Sequence, residues 1–261
     1  EHLINAGITL PVLLLKRRYF SKISLRDLLL FLGVGIGASA GGVLCFTQAF
    51  HYINPALAVL LQKLQPVMTI MLGALLLREK ISRHFVGWAL VAIISSYFVS
   101  FGLTNPFSGE GKELARGAAF AAAAAFFWGS GTIWGKMLLQ RYDQSFVLAG
   151  RFFIGAVFTV GLALFSHKSL LVDSVVSGER PLIGSIAYMA VISGVLATSF
   201  FYAGLKWVKA SLASILELFF PVSSVIIMWL SFNRPVSGIQ ITAGLIMFAA
   251  VYKINQLTEK F

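Results

Sequence analysis

The chain has 261 residues, of which 58% are hydrophobic and only 12% charged, with 23 Phe and a net charge of +11. A soluble domain carries about 25% charged residues to keep its surface wet, so this composition excludes an ordinary water-soluble globule and points to an all-α integral membrane protein. The positive charge excludes a nucleic-acid binder as well, because the cations sit in short clusters between apolar spans.

Residues 28–62, 84–109, 117–135, 181–205 and 235–252 contain no Asp, Glu, Lys or Arg, and about 18 such residues suffice to cross a bilayer core. Turn signals and charges divide the chain into nine spans, at roughly 3–15, 28–50, 55–77, 85–104, 115–139, 144–166, 181–205, 211–232 and 238–255. Asn54-Pro55 opens the third, with proline in the first turn where its missing N–H does no harm. Asn105-Pro106 and the SGEGKE that follows form the longest polar linker, at residues 105–114. The chain begins on Glu1 rather than Met, and its first apolar stretch, Leu3 to Leu15, is short for a full crossing.

Alternate loops gather the cations. Lys16, Arg17, Arg18, Lys22 and Arg26, then Arg78, Lys80 and Arg83, then Lys136 and Arg141, then Lys206 and Lys209, and finally Lys253 and Lys260 place 14 on one side. The other side has five: Lys112, Arg116, Lys168, Arg180 and Arg234. The positive-inside bias puts the 14-cation side, with the C-terminus, in the cytoplasm of a cell-membrane protein.

Sliding the chain by 155 residues sets Phe46 on Phe201, Leu57-Ala58 on Leu212-Ala213, Leu61 on Leu216, Pro66-Val67 on Pro221-Val222, and Ser82 on Ser237. Two halves, 1–104 and 115–261, each with an odd number of crossings, would be inverted relative to one another. The nine spans then belong to a ten-helix inverted-repeat (5+5) bundle whose first helix precedes Glu1. Inverted repeats with interrupted helices are a common construction of secondary transporters, with the solute held near the midplane at the repeat interface.

Three ionisable residues fall well inside spans, away from their ends: Lys63, Arg151 and Glu217. A charge at the bilayer centre costs about 2.5–3.5 kcal/mol on insertion scales, so such side chains usually face a bundle interior or a wet cavity. Gln62 falls on Glu217 in the repeat register, and Lys63, Gln65, Pro66 and Pro221 stand beside them. Proline removes the hydrogen bond to the carbonyl four residues back, here those of Gln62 and Glu217. This is the composition of a site for a polar solute, with Glu217 a candidate for proton coupling. The bland alternative is a structural Lys63–Glu217 pair, or a Lys63 that snorkels to the interface. Trp128 and Gln48 are further candidates for the cavity wall, against a packing role. Arg151 reads mainly as a structural residue that reaches lipid phosphate or helix-end carbonyls.

Gly33, Gly37 and Gly41 could suggest a dinucleotide loop, but that motif needs a preceding strand and a later acid. Small residues every four positions instead let helices approach closely. Cys45 is the single cysteine, which excludes a disulfide framework and reads as packing. His2, His51, His84 and His167 lie far apart, so neither a metal site nor a cofactor is expected. The lack of clustered His, Asp or Ser near an interface argues against an intramembrane lipid-modifying enzyme. The lack of a long soluble loop argues against a receptor or scaffold.

The stretch AAFFWGSGTIWGK, ending at Lys136, resembles the opening helix of an EamA-type repeat in the drug/metabolite transporter superfamily. NPALAVLLQKLQPVMTIMLGALLLREKIS with VGWALVAII resembles that repeat's Pro-then-Glu hallmark and final helix, here Pro66, Glu79 and Gly87. Arg151 in LAGRFF matches the arginine near the start of a repeat's second helix. The resemblance implies a permease for a small-molecule substrate among membrane lipids, leaning toward efflux of an amino acid or related metabolite. A homodimer is compatible with it. It also implies that Glu79 seats a helix end; in the second repeat Arg234 takes that position, so the two halves are expected to be held differently.

Overall fold

A computed structural model describes residues 1–103, 111–165, 180–232 and 236–259. The expected linker therefore lies mostly outside the described residues, as do His167, Lys168 and Arg234. Every regular element among the described residues is helical. In chain order these are α1 (His2–Leu15), a 3₁₀ turn (Arg17–Lys22), and α2 (Leu25–Leu32), which passes through a π-helical stretch (Gly33–Gly41) into α3 (Gly42–Ala49). They continue with α4 (Pro55–Gln62), α5 (Gln65–Leu76), α6 (Arg83–Phe101), α7 (Gly111–Leu139) and α8 (Gln144–Phe165). Next come α9 (Arg180–Tyr188), a second π-helical stretch (Met189–Ala197) and α10 (Thr198–Leu205). The last are α11 (Ala210–Leu216), a 3₁₀ turn (Glu217–Phe219), α12 (Phe220–Phe232) and α13 (Gly238–Glu259).

Among the described residues, 7 helices are long and apolar enough to cross a membrane: Leu25–Ala49, Leu57–Leu76, Arg83–Phe101, Gln144–Phe165, Gly184–Leu205, Ala210–Ser231 and Gly238–Leu257. The sequence predicts nine spans. The two further ones correspond to α1, which is short at 14 residues, and α7, which is long at 29 residues but diluted by Gly, Ser and Trp. Both irregular features recur within one residue of the repeat spacing. The π-helical stretches are nine residues each and begin at Gly33 and Met189. The break between α4 and α5 and that between α11 and α12 put Pro66 and Pro221 in matching places.

The chain forms two compact units, each drawn from both sequence halves. One comprises Glu1–Leu44 and Ser130–Trp207, the other Cys45–Gly129 and Val208–Phe261.

In the first unit, α2 starts with a capping box in which Ser24 and Asp27 exchange hydrogen bonds, satisfying donors the helix would leave open. Asp27 is fully buried and also accepts from Arg141 at 2.6 Å and from the Tyr142 hydroxyl at 2.9 Å. Around it Tyr19, Phe20, Phe31, Tyr142 and Phe146 pack in edge-on and tilted pairs. Lys16 closes the same end through Asp143 at 2.7 Å; hydrogen bonds from Lys16 and Tyr19 hold the Asp143 carboxyl below its usual range. The glycine-rich π-helical stretch lies directly on α8 and α7. A methyl group added at Gly35 would stand 2.6 Å from Ile154 Cβ and 3.1 Å from the Arg151 carbonyl, and one at Gly131 would overlap Ala38. Of the glycines spaced every four residues, Gly33 packs as closely, since a methyl group there would stand 2.7 Å from Trp134.

The second unit is centred on α6 and α13, with Phe85, Ala89, Ala92, Met247, Ala250 and Ile254 interleaved and Leu212, Ile215 and Leu218 added from the α11 side. A smaller cluster of Ala49, Ile53, Leu57, Ala58 and Ala121 anchors the start of α4.

Candidate functional site

The candidate site lies within the second unit, where two broken helices meet. Helix α4 ends at Gln62, Lys63 and Leu64 donate i→i−3 bonds to Leu60 and Leu61, and a new helix starts at Gln65. Pro66 therefore sits in the first turn of α5 instead of kinking a continuous span. Pro221 is likewise the second residue of α12, after the 3₁₀ turn Glu217–Phe219. Each proline thus follows a helix break and stands in the first turn of the new helix, where lacking an N–H costs least. The expected free carbonyl at Glu217 is also taken, because it accepts the Phe220 N–H.

A cavity of about 350 Å³ opens at these breaks, lined from the first sequence half by Gln62, Lys63, Gln65 and Pro66 and from the second by residues 216–220 and Ser223. Gln65 Nε2 donates to Glu217 Oε2 at 2.6 Å. Lys63 is 8% exposed, and its ammonium lies 5.3 Å from the centre of the Phe220 ring, a cation–π contact strengthened by low polarity. The charge of Glu217 acts on the same ammonium. The floor is fixed from behind by Thr69, whose hydroxyl donates to the Gln65 carbonyl at 3.1 Å. The walls thus offer a cation, an anion, two amides and an aromatic face.

Of the sequence candidates, Gln62, Lys63, Gln65, Pro66, Pro221 and Glu217 come together at this pair of breaks, although Pro221 itself is not in the cavity wall. Trp128 and Gln48 do not line it. Trp128 packs edge-on against Phe46 at 5.2 Å, and Gln48 is half-buried one residue from the end of α3. Arg151 lies in the first unit, bonded to the side-chain hydroxyls of Ser39 and Tyr202 rather than to helix-end carbonyls.

Sequence reasoning left Phe220 and Ser211 unnamed. The repeat register was the available signal for both. Phe220 falls on Gln65, and Lys209-Ala210-Ser211 falls on Asn54-Pro55-Ala56, which marks it as a helix start needing a cap. Glu79 supplies that cap. It accepts from Ala210 N at 2.7 Å, Ser211 N at 3.2 Å and Ser211 Oγ at 2.5 Å, so it seats the helix that carries Glu217 at its other end. To aim it there, Arg78 adopts φ 55, while Leu77 and Glu79 both donate to the Gly73 carbonyl. A left-handed non-glycine residue of this kind is uncommon and locally strained.

The sequence model of the EamA-like transporter family matches residues 2–101 and 115–256. A riboflavin transporter, ImpX, of Fusobacterium nucleatum subsp. nucleatum is 30% identical over 246 residues, which is 90% of this chain and 79% of the relative. A probable amino-acid metabolite efflux pump of Salmonella typhimurium is 24% identical over 231 residues, covering 86% of this chain and 76% of the pump. A protein known from its crystal structure shares the fold with a TM-score of 0.78 at 18% identity, over 100% of this chain and 86% of that one. The chain belongs to the EamA-like transporter family and is a multi-pass membrane transporter, not an enzyme.

Proposed function

We propose that this protein is a secondary transporter that exports an amino acid or related small metabolite by alternating access, with the cavity at Lys63, Gln65 and Glu217 as its binding site. The observation that carries the reading is that cavity of about 350 Å³, built at matched helix breaks from both sequence halves. Its size lies at the lower end of the roughly 300–1,000 Å³ of small-molecule sites. An amino acid fits the chemistry of the wall: its carboxylate faces Lys63, its ammonium faces Glu217, and its side chain lies along Phe219 and Phe220. Glu217 has the further role of taking up a proton when the solute leaves. In this reading the chain crosses the cell membrane nine times, with halves 1–104 and 115–261 inverted and the C-terminus in the cytoplasm.

The similarity to a riboflavin transporter favours a second reading, in which a flavin ring stacks on Phe220 and bonds Gln62 and Gln65. Proteoliposomes loaded with radiolabelled phenylalanine or with riboflavin separate the two. Amino-acid efflux that fails in Glu217→Gln supports the first reading. Riboflavin flux without amino-acid flux replaces it with the second. A tightly sealed preparation that moves neither solute, nor any member of a wider amino-acid panel, rejects both.

A further inference from the structure

The first unit contains Arg151, the third ionisable residue that the sequence places well inside an apolar span. Arg151 stands seven residues beyond the start of α8, about 10 Å along the helix at 1.5 Å per residue. Its Nε donates to Ser39 Oγ at 2.9 Å, its Nη1 donates to the Tyr202 hydroxyl at 3.1 Å, and its guanidinium carbon lies 5.7 Å from the Tyr202 ring centre. Ser39 and Tyr202 are buried, whereas Arg151 is half-buried. Both partners are neutral. The ion pairs among the described residues are Lys16–Asp143, Arg116–Glu113 and Arg141–Asp27, so Arg151 has no carboxylate partner there.

A guanidinium has five N–H donors in a rigid fork suited to carboxylate and phosphate oxygens. Two are committed to Ser39 and Tyr202, whose hydroxyls orient the group without cancelling its charge. The surroundings are prepared for a polar guest as well. Ser39 is presented by the π-helical stretch Gly33–Gly41, a distortion frequent at functional sites. The His2 ring lies against Gly155, one turn along α8 from Arg151. One turn further along α1, the fully buried Asn5 amide has no hydrogen-bond partner on either side-chain atom.

We propose that Arg151, held by Ser39 and Tyr202, is an anion-binding site within the first unit that takes a carboxylate or phosphate group, from a soluble solute or from a lipid headgroup. Both hydrogen bonds of this cation go to neutral hydroxyls, and an anion on its remaining donors makes charge-assisted, bidentate hydrogen bonds. The site is independent of the cavity at Lys63 and Glu217 and stands whichever solute that cavity carries.

Thermal melts of the purified full chain in an uncharged detergent test it, with sodium phosphate and sodium acetate titrated at constant ionic strength against chloride. The expected result is a saturable rise in Tm that needs at least about tenfold more anion in Arg151→Gln and is unchanged in Arg116→Gln, a surface control. Tyr202→Phe removes one of the two hydroxyls that orient the guanidinium and keeps its charge, so it should weaken phosphate binding, by less than Arg151→Gln does. A parallel series in nanodiscs compares phosphatidylglycerol with phosphatidylcholine. An Arg151-dependent gain from phosphatidylglycerol alone identifies the ligand as a lipid headgroup. Equal responses of wild type and Arg151→Gln, a Tyr202→Phe variant that binds phosphate as wild type does, or no response to either anion source would overturn the proposal.

Discussion

Glu79 and Ser211, 132 positions apart, are joined by two hydrogen bonds, and the same carboxylate also takes the Ala210 N–H. The matching helix in the first sequence half is capped differently, by its own Asn54 Oδ1, which accepts from Leu57 N at 2.8 Å. In the repeat register Asn54 falls on Lys209, which stands at the N-cap of α11 and makes no side-chain cap bond there. Glu79 falls on Arg234, which can only donate. The two departures therefore compensate: the half that lost its own cap borrows a carboxylate, and the half with a cap of its own does not need one.

Removing the borrowed cap should destabilise the protein. Glu79→Ala is expected to cost about 1–2 kcal/mol, the upper part of the range for lost N-caps, and Asn54→Ala about 1 kcal/mol. Lys209→Asn should restore much of the stability lost in Glu79→Ala, because it recreates the arrangement of Asn54. Thermal melts of the single and double variants decide the matter. If Lys209→Asn rescues nothing, the compensation does not operate.

The helices were legible because apolar runs of bilayer length leave little choice, and the charges inside them marked Lys63 and Glu217 as exceptional. Hydropathy could not show that the chain breaks before Pro66 and Pro221, since Lys63-Leu64 and Glu217–Phe219 look like ordinary members of their spans. The partners of Arg151 were hidden for a similar reason. A serine among glycines and a tyrosine beside phenylalanines read as filler until folding brings Ser39 and Tyr202 to one guanidinium. Trp128 was misleading in the opposite sense, because an aromatic ring in a span suits a cavity wall and a packing contact equally, and Phe46 made it the latter.

The buried carboxylate of Asp27 is the keystone of its end of the first unit. It is bonded to Ser24, Arg141 and Tyr142 at once. Asp27→Asn leaves Arg141 and the Ser24 cap mismatched, and losses of about 3–5 kcal/mol are typical for breaking a buried charge pair; the half-exposed Arg141 puts the expectation near the lower figure. Burial first, and then the bond to Asp27, push the Tyr142 phenol up to about 12. An unfolded phenol ionises near 10. The contribution of Tyr142 is thus complete below about pH 10 and is lost as pH rises toward 12. Tyr142→Phe should lower Tm at neutral pH yet flatten its decline between about pH 10 and 12. An unchanged alkaline slope would show that Tyr142 is not the titrating group.

The charge bias assigns the Lys16–Arg26 loop and the C-terminus to the cytoplasm. In a Cys45→Ala background, a membrane-impermeant maleimide added outside whole cells should label a cysteine placed at Ser108 and spare one at Ser21. The reverse pattern would invert the topology, and export would have to be argued again from the opposite side.

Whether the cavity binds solute or merely closes on itself depends on Lys63, Gln65 and Glu217. If the two charges are only a staple, removing one strands the other in a low-polarity interior at about 3–5 kcal/mol, whereas replacing both by apolar groups is tolerated. Glu217→Gln keeps the side-chain shape and a hydrogen bond to Gln65 while deleting the charge. It should leave Tm nearly unchanged, lower flux by about tenfold, as loss of a charged hydrogen bond would, and abolish the pH dependence of transport. The double variant Lys63→Met with Glu217→Leu separates the two roles. If it folds and transports normally, the cavity is not the solute site. If it folds with a wild-type Tm and carries no flux, the charges act on the solute. Melting temperature and flux must be measured on the same preparation, because only a folded, inactive double variant distinguishes a binding site from a structural pair.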